Sequence, residues 1–193
     1  VYLGRVDISL TMLGIAILIG TIIGIFFAIK VEMTQMPQLV AIFNGFGGGA
    51  SALVASSEFL KHGPASDLFL LISIILSVLI GTLTFTGSFI AFGKLQGLIT
   101  TKPVTFIGQQ LLNALIAIVL IVFAYFVPSY GINAFYIIIA LSALLGILLV
   151  VPIGGADMPV VISLLNSYSG IAAAMTGFVL VSSGNTSAGN ALI

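Results

Sequence analysis

The sequence predicts an all-α integral membrane protein, a bundle of about six transmembrane helices joined by short loops. The chain has 193 residues, of which 60% are hydrophobic and 5% are charged, whereas about a quarter of the residues in soluble domains are charged. Five basic and five acidic residues cannot cover a surface that faces water, so the bilayer must be the solvent. The lack of cysteine and the single histidine argue against a metal site.

Six apolar runs are long enough to cross the hydrocarbon core, which takes about 20 helical residues. They cover about residues 8–29, 36–59, 67–95, 106–127, 132–151 and 158–181, and we expect them to form a single transmembrane domain. Pro128 and Pro152 are expected to end the fourth and fifth spans, because proline breaks the helical hydrogen-bond ladder. Short connections predict that spans adjacent in sequence run antiparallel.

The charged loop residues indicate an orientation. Lys30, Lys94 and Lys102 lie on one side of the predicted bundle, and Arg5 and Lys61 lie on the other. Short cytoplasmic loops carry the excess of lysine and arginine, so the first side is interpreted as cytoplasmic.

Polar and small residues follow one face of the second, third and sixth spans, whereas the fourth and fifth spans are mostly apolar and are expected to face lipid. On the sixth span, this face includes the small residues Ala173, Ala174 and Gly177. Such faces serve either close helix packing or a hydrated path. Asparagine favours the path, because a buried carboxamide needs several hydrogen-bond partners. The residues expected to line the path are Asn44, Ser51, Ser77, Thr84, Ser88, Ser163, Asn166 and Ser167.

Residues 45–50 read GFGGGA, which formally fits a dinucleotide-binding pattern. That motif requires a preceding strand and a later acidic residue, and this segment lies inside a membrane span with leucine at position 70. We therefore assign the glycines to close helix packing, and expect Gly45, Gly48, Gly49 and Gly170 to serve it.

Two similar segments open the second and sixth spans. EMTQMP contains Glu32 and PIGGADMP contains Asp157, and each places a proline in the first helical turn. Both segments fall on the side of Lys94, so they are interpreted as a docking surface for a soluble partner. The alternatives are an N-terminal cap for Asp157 and a membrane-interface anchor for Lys94. No ionisable residue lies at the centre of a span, although such residues commonly mark ion relays.

Three segments, VEMTQMPQLVAIFNGFGG, FTGSFIAFGKLQG and PIGGADMPVVISLLNSYSG, resemble the membrane domain of the beta subunit of proton-translocating NAD(P) transhydrogenase. The resemblance implies that hydride transfer between NADH and NADP is coupled to proton movement across a bacterial plasma membrane or mitochondrial inner membrane. It also implies that NAD(H) is bound by an alpha subunit and NADP(H) by a Rossmann domain, with no cofactor on this segment and no nucleic acid. The family's next helix and that Rossmann domain are absent from the sequence, and the resemblance implies a homodimer.

The resemblance also assigns residues. The second span would line the proton channel, and Asn44 stands where many members have a histidine, which an amide cannot replace as a proton carrier. The titrating group would then come from another helix or subunit, or Asn44 would organise water. Asn166 matches a channel asparagine, and Asp157 matches an acidic residue that couples the channel to the NADP(H)-binding domain. Glu32 and Lys94 would share that coupling face.

Two other readings compete with this one. A secondary transporter would show inverted repeats and broken helices, and no convincing repeat relates residues 1–96 to 97–193. A purely structural membrane subunit would leave the two asparagines and the three polar faces without a shared purpose.

Overall fold

The computed structural model describes residues 10–64 and 67–184, so Arg5 lies outside the described residues. Within that part of the chain all regular structure is helical, and six helices are long and apolar enough to cross a membrane. The predicted fold class is confirmed. The helices are α1 (Leu10–Lys30), α2 (Met36–His62), α3 (Leu68–Leu95), α4 (Gln109–Tyr130), α5 (Ile132–Val150) and α6 (Met158–Ser182). Short 3-10 turns at Met33–Gln35 and Gly155–Asp157 lead into α2 and α6.

The expected end of the fourth span is wrong. Pro128 lies inside α4, which continues to Tyr130. The helix ends at Gly131, whose φ of 59° lies in the left-handed region that glycine adopts without strain. A proline near the end of a helix removes one hydrogen bond, and only a short segment remains beyond it, so the backbone can follow the helical path.

Helix α3 is the centre of the bundle and packs against α2, α5 and α6, while α2 also packs against α6. Ile74 and Val78 of α3 are fully buried in the apolar core. The central position explains why α3 has the largest buried fraction of the six helices.

The peripheral helices differ from one another. Helix α5 lies between α3 and α4, so its expected lipid-facing role is wrong for the face that buries Phe135, Ile138 and Ser142. Helix α4 packs on α5 and is mostly exposed, as expected. In α1, all residues from Thr11 to Lys30 are exposed except Phe27, which is half-buried. The Phe27 ring packs edge-on against Phe43 of α2, with 5.8 Å between the ring centroids.

The chain contains a parallel internal repeat that does not follow the division into residues 1–96 and 97–193. The unit α1–turn–α2 corresponds to α5–turn–α6. At one constant spacing, Gly24-Ile25 pairs with Gly146-Ile147, Met36-Pro37 with Met158-Pro159, Asn44 with Asn166, and Gly48 with Gly170. A comparison of equal halves misses this repeat, because α3 and α4 separate its two units. Helices α2 and α6 run in the same direction, so these units are not the inverted pair that the transporter reading requires.

Candidate functional site

The carboxamide of Asn44 joins three helices in one hydrogen-bonded cluster. Its Nδ2 donates to Ser88 Oγ of α3 at 2.9 Å, and Ser169 Oγ of α6 donates to its Oδ1 at 2.6 Å. The Ser169 hydroxyl also lies 2.8 Å from the carbonyl oxygen of Asn166. Asn44 is only 7% exposed. A buried carboxamide is costly without partners, and here both ends of the amide have one.

A second cluster joins the same three helices. Ser77 Oγ of α3 lies 2.7 Å from Thr176 Oγ1 of α6, and both hydroxyls lie 3.3 Å from the carbonyl oxygen of Ser51 in α2. Both also reach the carbonyl oxygen of Ala172, at 3.2 Å from Ser77 and 2.9 Å from Thr176. Ser77 and Thr176 are buried. Ser51 contributes its carbonyl here, because its own hydroxyl donates to Gly47 at 3.1 Å.

The two clusters stack along the bundle. Ser51 follows Asn44 by two helical turns on α2, and Thr176 follows Ser169 by the same interval on α6, so each step rises about 10 Å. Thr84 of α3 lies between the clusters, and its buried hydroxyl has no hydrogen-bond partner among the described residues. The interface of α2, α3 and α6 therefore carries two hydrogen-bonded clusters at bilayer depth, with one unpartnered hydroxyl between them.

Glycines bring α2 close to α3. A Cβ at Gly48 would lie 2.8 Å from the carbonyl oxygen of Gly81 and 2.9 Å from Thr84 Cβ. A Cβ at Gly45 would lie 3.2 Å from Phe89, and one at Gly49 would lie 2.7 Å from Phe85. These three positions are in contact with α3, and the close approach allows short side chains to bond across the interface.

The outer face of α6 carries the other sixth-span residues that the sequence analysis selected. Ser163, Asn166, Ser167 and Gly170 are exposed, and no atom lies within 4 Å of a Cβ built on Gly170. The Ser167 hydroxyl donates back to Ser163 at 3.2 Å. Within the described chain the side chains of these residues do not join the Asn44 cluster, to which Asn166 contributes only its carbonyl oxygen. Gly170 packs against no described helix.

Sequence reasoning missed Ser169 and Thr176, which α6 contributes to the two clusters instead. Their signal was available: Ser169 and Thr176 repeat the interval between Asn44 and Ser51. This signal was ambiguous because α6 has polar residues on two faces, and periodicity alone does not identify the face that packs against α2.

The ammonium of Lys94 is buried at the end of α3 and binds three backbone carbonyls. Its Nζ donates to Val151 at 2.6 Å, to Ile153 at 2.7 Å and to Lys102 at 3.2 Å. Lys94 is 1% exposed, so its side chain does not act as a membrane-interface anchor. Because its acceptors belong to the α3–α4 and α5–α6 loops, Lys94 links both loops to the central helix.

The two acidic residues on this side are exposed. Asp157 occupies the N-cap position of α6, but its side chain makes no cap hydrogen bond. The loop that carries it is held by a hydrogen bond from the Gly155 N–H to the Thr101 carbonyl at 2.8 Å. Glu32 stands before the 3-10 turn that leads into α2, and its carboxylate lies 3.5 Å from Thr34 Oγ1.

Helix α2 is also linked to the end of α3 on this side. Gln38 Nε2 donates to the Leu95 carbonyl at 3.0 Å, and Gln96 Nε2 donates to Gln38 Oε1 at 2.5 Å. The end of α3 therefore contacts the start of α2 through Gln38 and the α5–α6 loop through Lys94.

The opposite end of α2 holds a carboxylate that sequence reasoning left out of the site. Glu58 is 7% exposed, and Lys61 Nζ lies 2.6 Å from its Oε1. His62 Nδ1 lies 3.5 Å from Glu58 Oε2. Glu58 lies at the end of the second predicted span, and the sequence does not show that its side chain turns inward.

Comparison with known proteins identifies the family. The family model for the NAD(P) transhydrogenase beta subunit matches residues 3–192. Two curated relatives from Rhodospirillum rubrum, both named NAD(P) transhydrogenase subunit beta, are 49% identical over 174 residues, which is 86% of this chain. The chain spans 38% of the length of these relatives.

These similarities agree with the structure. The matches and the six apolar helices support a multi-pass protein of the bacterial inner membrane. The chain belongs to the NAD(P) transhydrogenase beta subunit family.

Proposed function

We propose that this chain forms the membrane path for protons in a proton-translocating NAD(P) transhydrogenase. Proton passage would be coupled to hydride transfer between NADH and NADP on nucleotide-binding domains outside the membrane. The observation that carries the proposal is the stack of two hydrogen-bonded clusters, around Asn44 and around Ser77, at the α2–α3–α6 interface.

The chemistry of these groups suits proton passage. A serine or threonine hydroxyl donates one hydrogen bond and accepts others, so a series of hydroxyls can orient water and pass hydrogen bonds along a line. Polar groups at bilayer depth occur where they are paired with protein or line a water-filled cavity. Asn44 holds Ser88 and Ser169 in place but does not change charge, so the path needs a titrating group besides Asn44.

Helix α3 provides the coupling. It carries Ser77 and Ser88 in the two clusters, and it carries Lys94 in contact with the α5–α6 loop. A movement of α3 relative to α2 and α6 would therefore move the loop that contains Asp157. The membrane field supplies about 2.3 kcal/mol for each charge moved across 100 mV. That free energy can change the equilibrium for docking of the NADP(H)-binding domain by over ~10-fold.

The exposed carboxylates of Glu32 and Asp157 provide the docking surface on this side. In the proposed assembly they face the NADP(H)-binding domain, while an alpha subunit binds NAD(H). The segment described here would bind neither nucleotide. A homodimer is part of the proposal. It is supported by the family to which the chain belongs.

The test uses the full-length beta subunit assembled with its alpha subunit in proteoliposomes that contain a pH-sensitive dye. Reduction of an NAD analogue by NADPH should change the internal pH, and a protonophore should abolish that change. Replacing Ser169 with alanine should slow proton movement more than the replacement of Ser163, because Ser169 alone of the two contacts Asn44. Hydride transfer that neither moves protons nor responds to an imposed pH gradient would contradict the proposal.

A further inference from the structure

Glu58 lies on the same face of α2 as the two polar clusters. Asn44, Ser51 and Glu58 are separated by two helical turns each, so they form one line with steps of about 10 Å. All three are buried, at 7%, 8% and 7% exposure. The carboxylate is therefore at the end of the line that the clusters occupy.

The registers of the neighbouring helices place hydroxyl groups at the level of Glu58. The α2–α6 contacts Asn44–Ser169 and Ser51–Thr176 keep one constant offset, and the same offset predicts that Ser183, at the end of α6, lies level with Glu58. The Ser183 hydroxyl donates to the Leu180 carbonyl at 3.1 Å. Antiparallel α3 meets α2 through Ser88 and then Ser77, and one turn further towards its start lies the buried Ser73.

The charges around Glu58 come from its own helix. Lys61 Nζ lies 2.6 Å from Oε1, and its side chain is 53% exposed. His62, at 3.5 Å from Oε2, is also partly exposed. Among the described residues, the helices that pack against α2 supply no charge at this level. Helix α6 contains only Tyr168 as an ionisable side chain, and α3 contains only Lys94, at its far end. Helix α5 contains only Tyr136, and the only charged residue of α1 is Lys30, at its far end. Asp67, which caps the start of α3, is exposed.

We propose that Glu58 is the group that binds and releases the proton at this end of the path, an inference that rests on the proposed function. Uptake transfers one proton from water at this face to a carboxylate oxygen and breaks the attraction to Lys61, whose ammonium remains charged in water. Release returns the proton to the hydrogen-bonded line or to this face, and Lys61 again neutralises the carboxylate.

The geometry stabilises both the charged and the protonated form of Glu58. A buried carboxylate without a partner is strongly destabilising, whereas Lys61 compensates the charged form. The lysine stem is flexible and reaches the carboxylate from the exposed side, so the ammonium can leave without disturbing the core. The stacked rings of Phe59 and Phe135, 4.0 Å apart between centroids, meanwhile hold this turn of α2 against α5.

The experiment compares E58Q, E58D and the matched control D67N in the complete enzyme in proteoliposomes. Glutamine keeps the shape but cannot take up a proton, so E58Q should slow coupled proton transport by about 100-fold, and E58D should restore a large part of it. Asp67 is an exposed carboxylate at the same membrane face, so D67N should match the wild type. Infrared difference spectra during NADPH oxidation should show a carboxylic acid band that E58Q lacks.

Several outcomes would overturn the inference. Wild-type proton transport by E58Q would exclude Glu58 as the proton-binding group. Equal losses of thermal stability and transport in E58Q and K61Q, with an unchanged infrared spectrum, would show a structural ion pair only. If E58Q does not fold, E58D tests whether a carboxylate at this position binds the proton. An E58D enzyme that neither transports protons nor shows the carboxylic acid band would contradict the inference. A wild-type enzyme that transfers hydride without moving protons would instead refute the proposed function itself.

Discussion

The two repeat units, α1–α2 and α5–α6, carry the same local features in different surroundings. Asn44 and Gly48 of the first unit are buried against α3, and Asn166 and Gly170 of the second are exposed. Conversely, Gly146 of the second unit packs closely against Leu83 and Thr86 of α3, while no atom lies within 4 Å of a Cβ on its counterpart Gly24.

This difference shows that the partner helix determines the role of each position. Helix α3 packs against α2, α5 and α6, and it meets α2 and α6 on different sides of their shared motif. The Asn–Gly face of α2 is turned to α3, whereas α6 meets the Asn44 and Ser77 clusters through Ser169 and Thr176. One repeated motif therefore yields a hydrogen-bonded interior in one unit and an outward polar face in the other.

The largest effect is expected from substitutions of the paired glycines. Gly48→Leu should lower the free energy of unfolding by about 3 kcal/mol or more, because even a Cβ would meet the backbone of Gly81 and force α2 away from α3. Gly170→Leu is the matched control and should change stability by less than about 0.5 kcal/mol. Reversible unfolding in detergent measures both, and equal losses would mean that the two faces are equally packed.

The next effect concerns the lysine that holds the α5–α6 loop. Lys94→Met should lower the free energy of unfolding by about 2–3 kcal/mol, because it removes a buried charged donor from the carbonyls of Val151 and Ile153. It should also weaken the coupling between hydride transfer and proton movement. The control Lys102→Met, at an exposed side chain, should do neither. Intact coupling in Lys94→Met would contradict the role of α3 as the link.

Sequence reasoning reached the fold class because hydropathy records the number of membrane-spanning helices directly. It also singled out Asn44, because a carboxamide in an apolar span needs partners. It could not identify Ser169, Thr176 or the inward turn of Glu58, since these depend on how helices rotate against one another. The burial of Lys94 was equally hidden, because its acceptors are backbone carbonyls, which every sequence contains.

A smaller effect is expected from the paired asparagines. Asn44→Leu should lower the free energy of unfolding by about 2 kcal/mol, because Ser88 and Ser169 lose their shared partner. Asn166→Leu should leave stability nearly unchanged. Asn44→His should retain more proton transport than Asn44→Leu, because imidazole offers both a donor and an acceptor. Thermal unfolding and proteoliposome transport measure these effects, and a stable, fully active Asn44→Leu protein would refute the path through this cluster.

The smallest effect is expected where α2 meets the end of α3. The corresponding link to the second unit is the charged Lys94, whereas Gln38 is neutral and its partner Gln96 is exposed. Neutral hydrogen bonds contribute about 1 kcal/mol each, roughly half of those made by charged groups. Gln38→Ala should therefore lower the free energy of unfolding by about 1 kcal/mol, and Gln96→Ala by less. A double-mutant cycle separates their mutual contact from the bond between Gln38 and Leu95. If Gln38→Ala lowered stability as much as Lys94→Met, the starts of α2 and α6 would be held to α3 with equal strength. The two repeat units would then not differ at this end of the bundle.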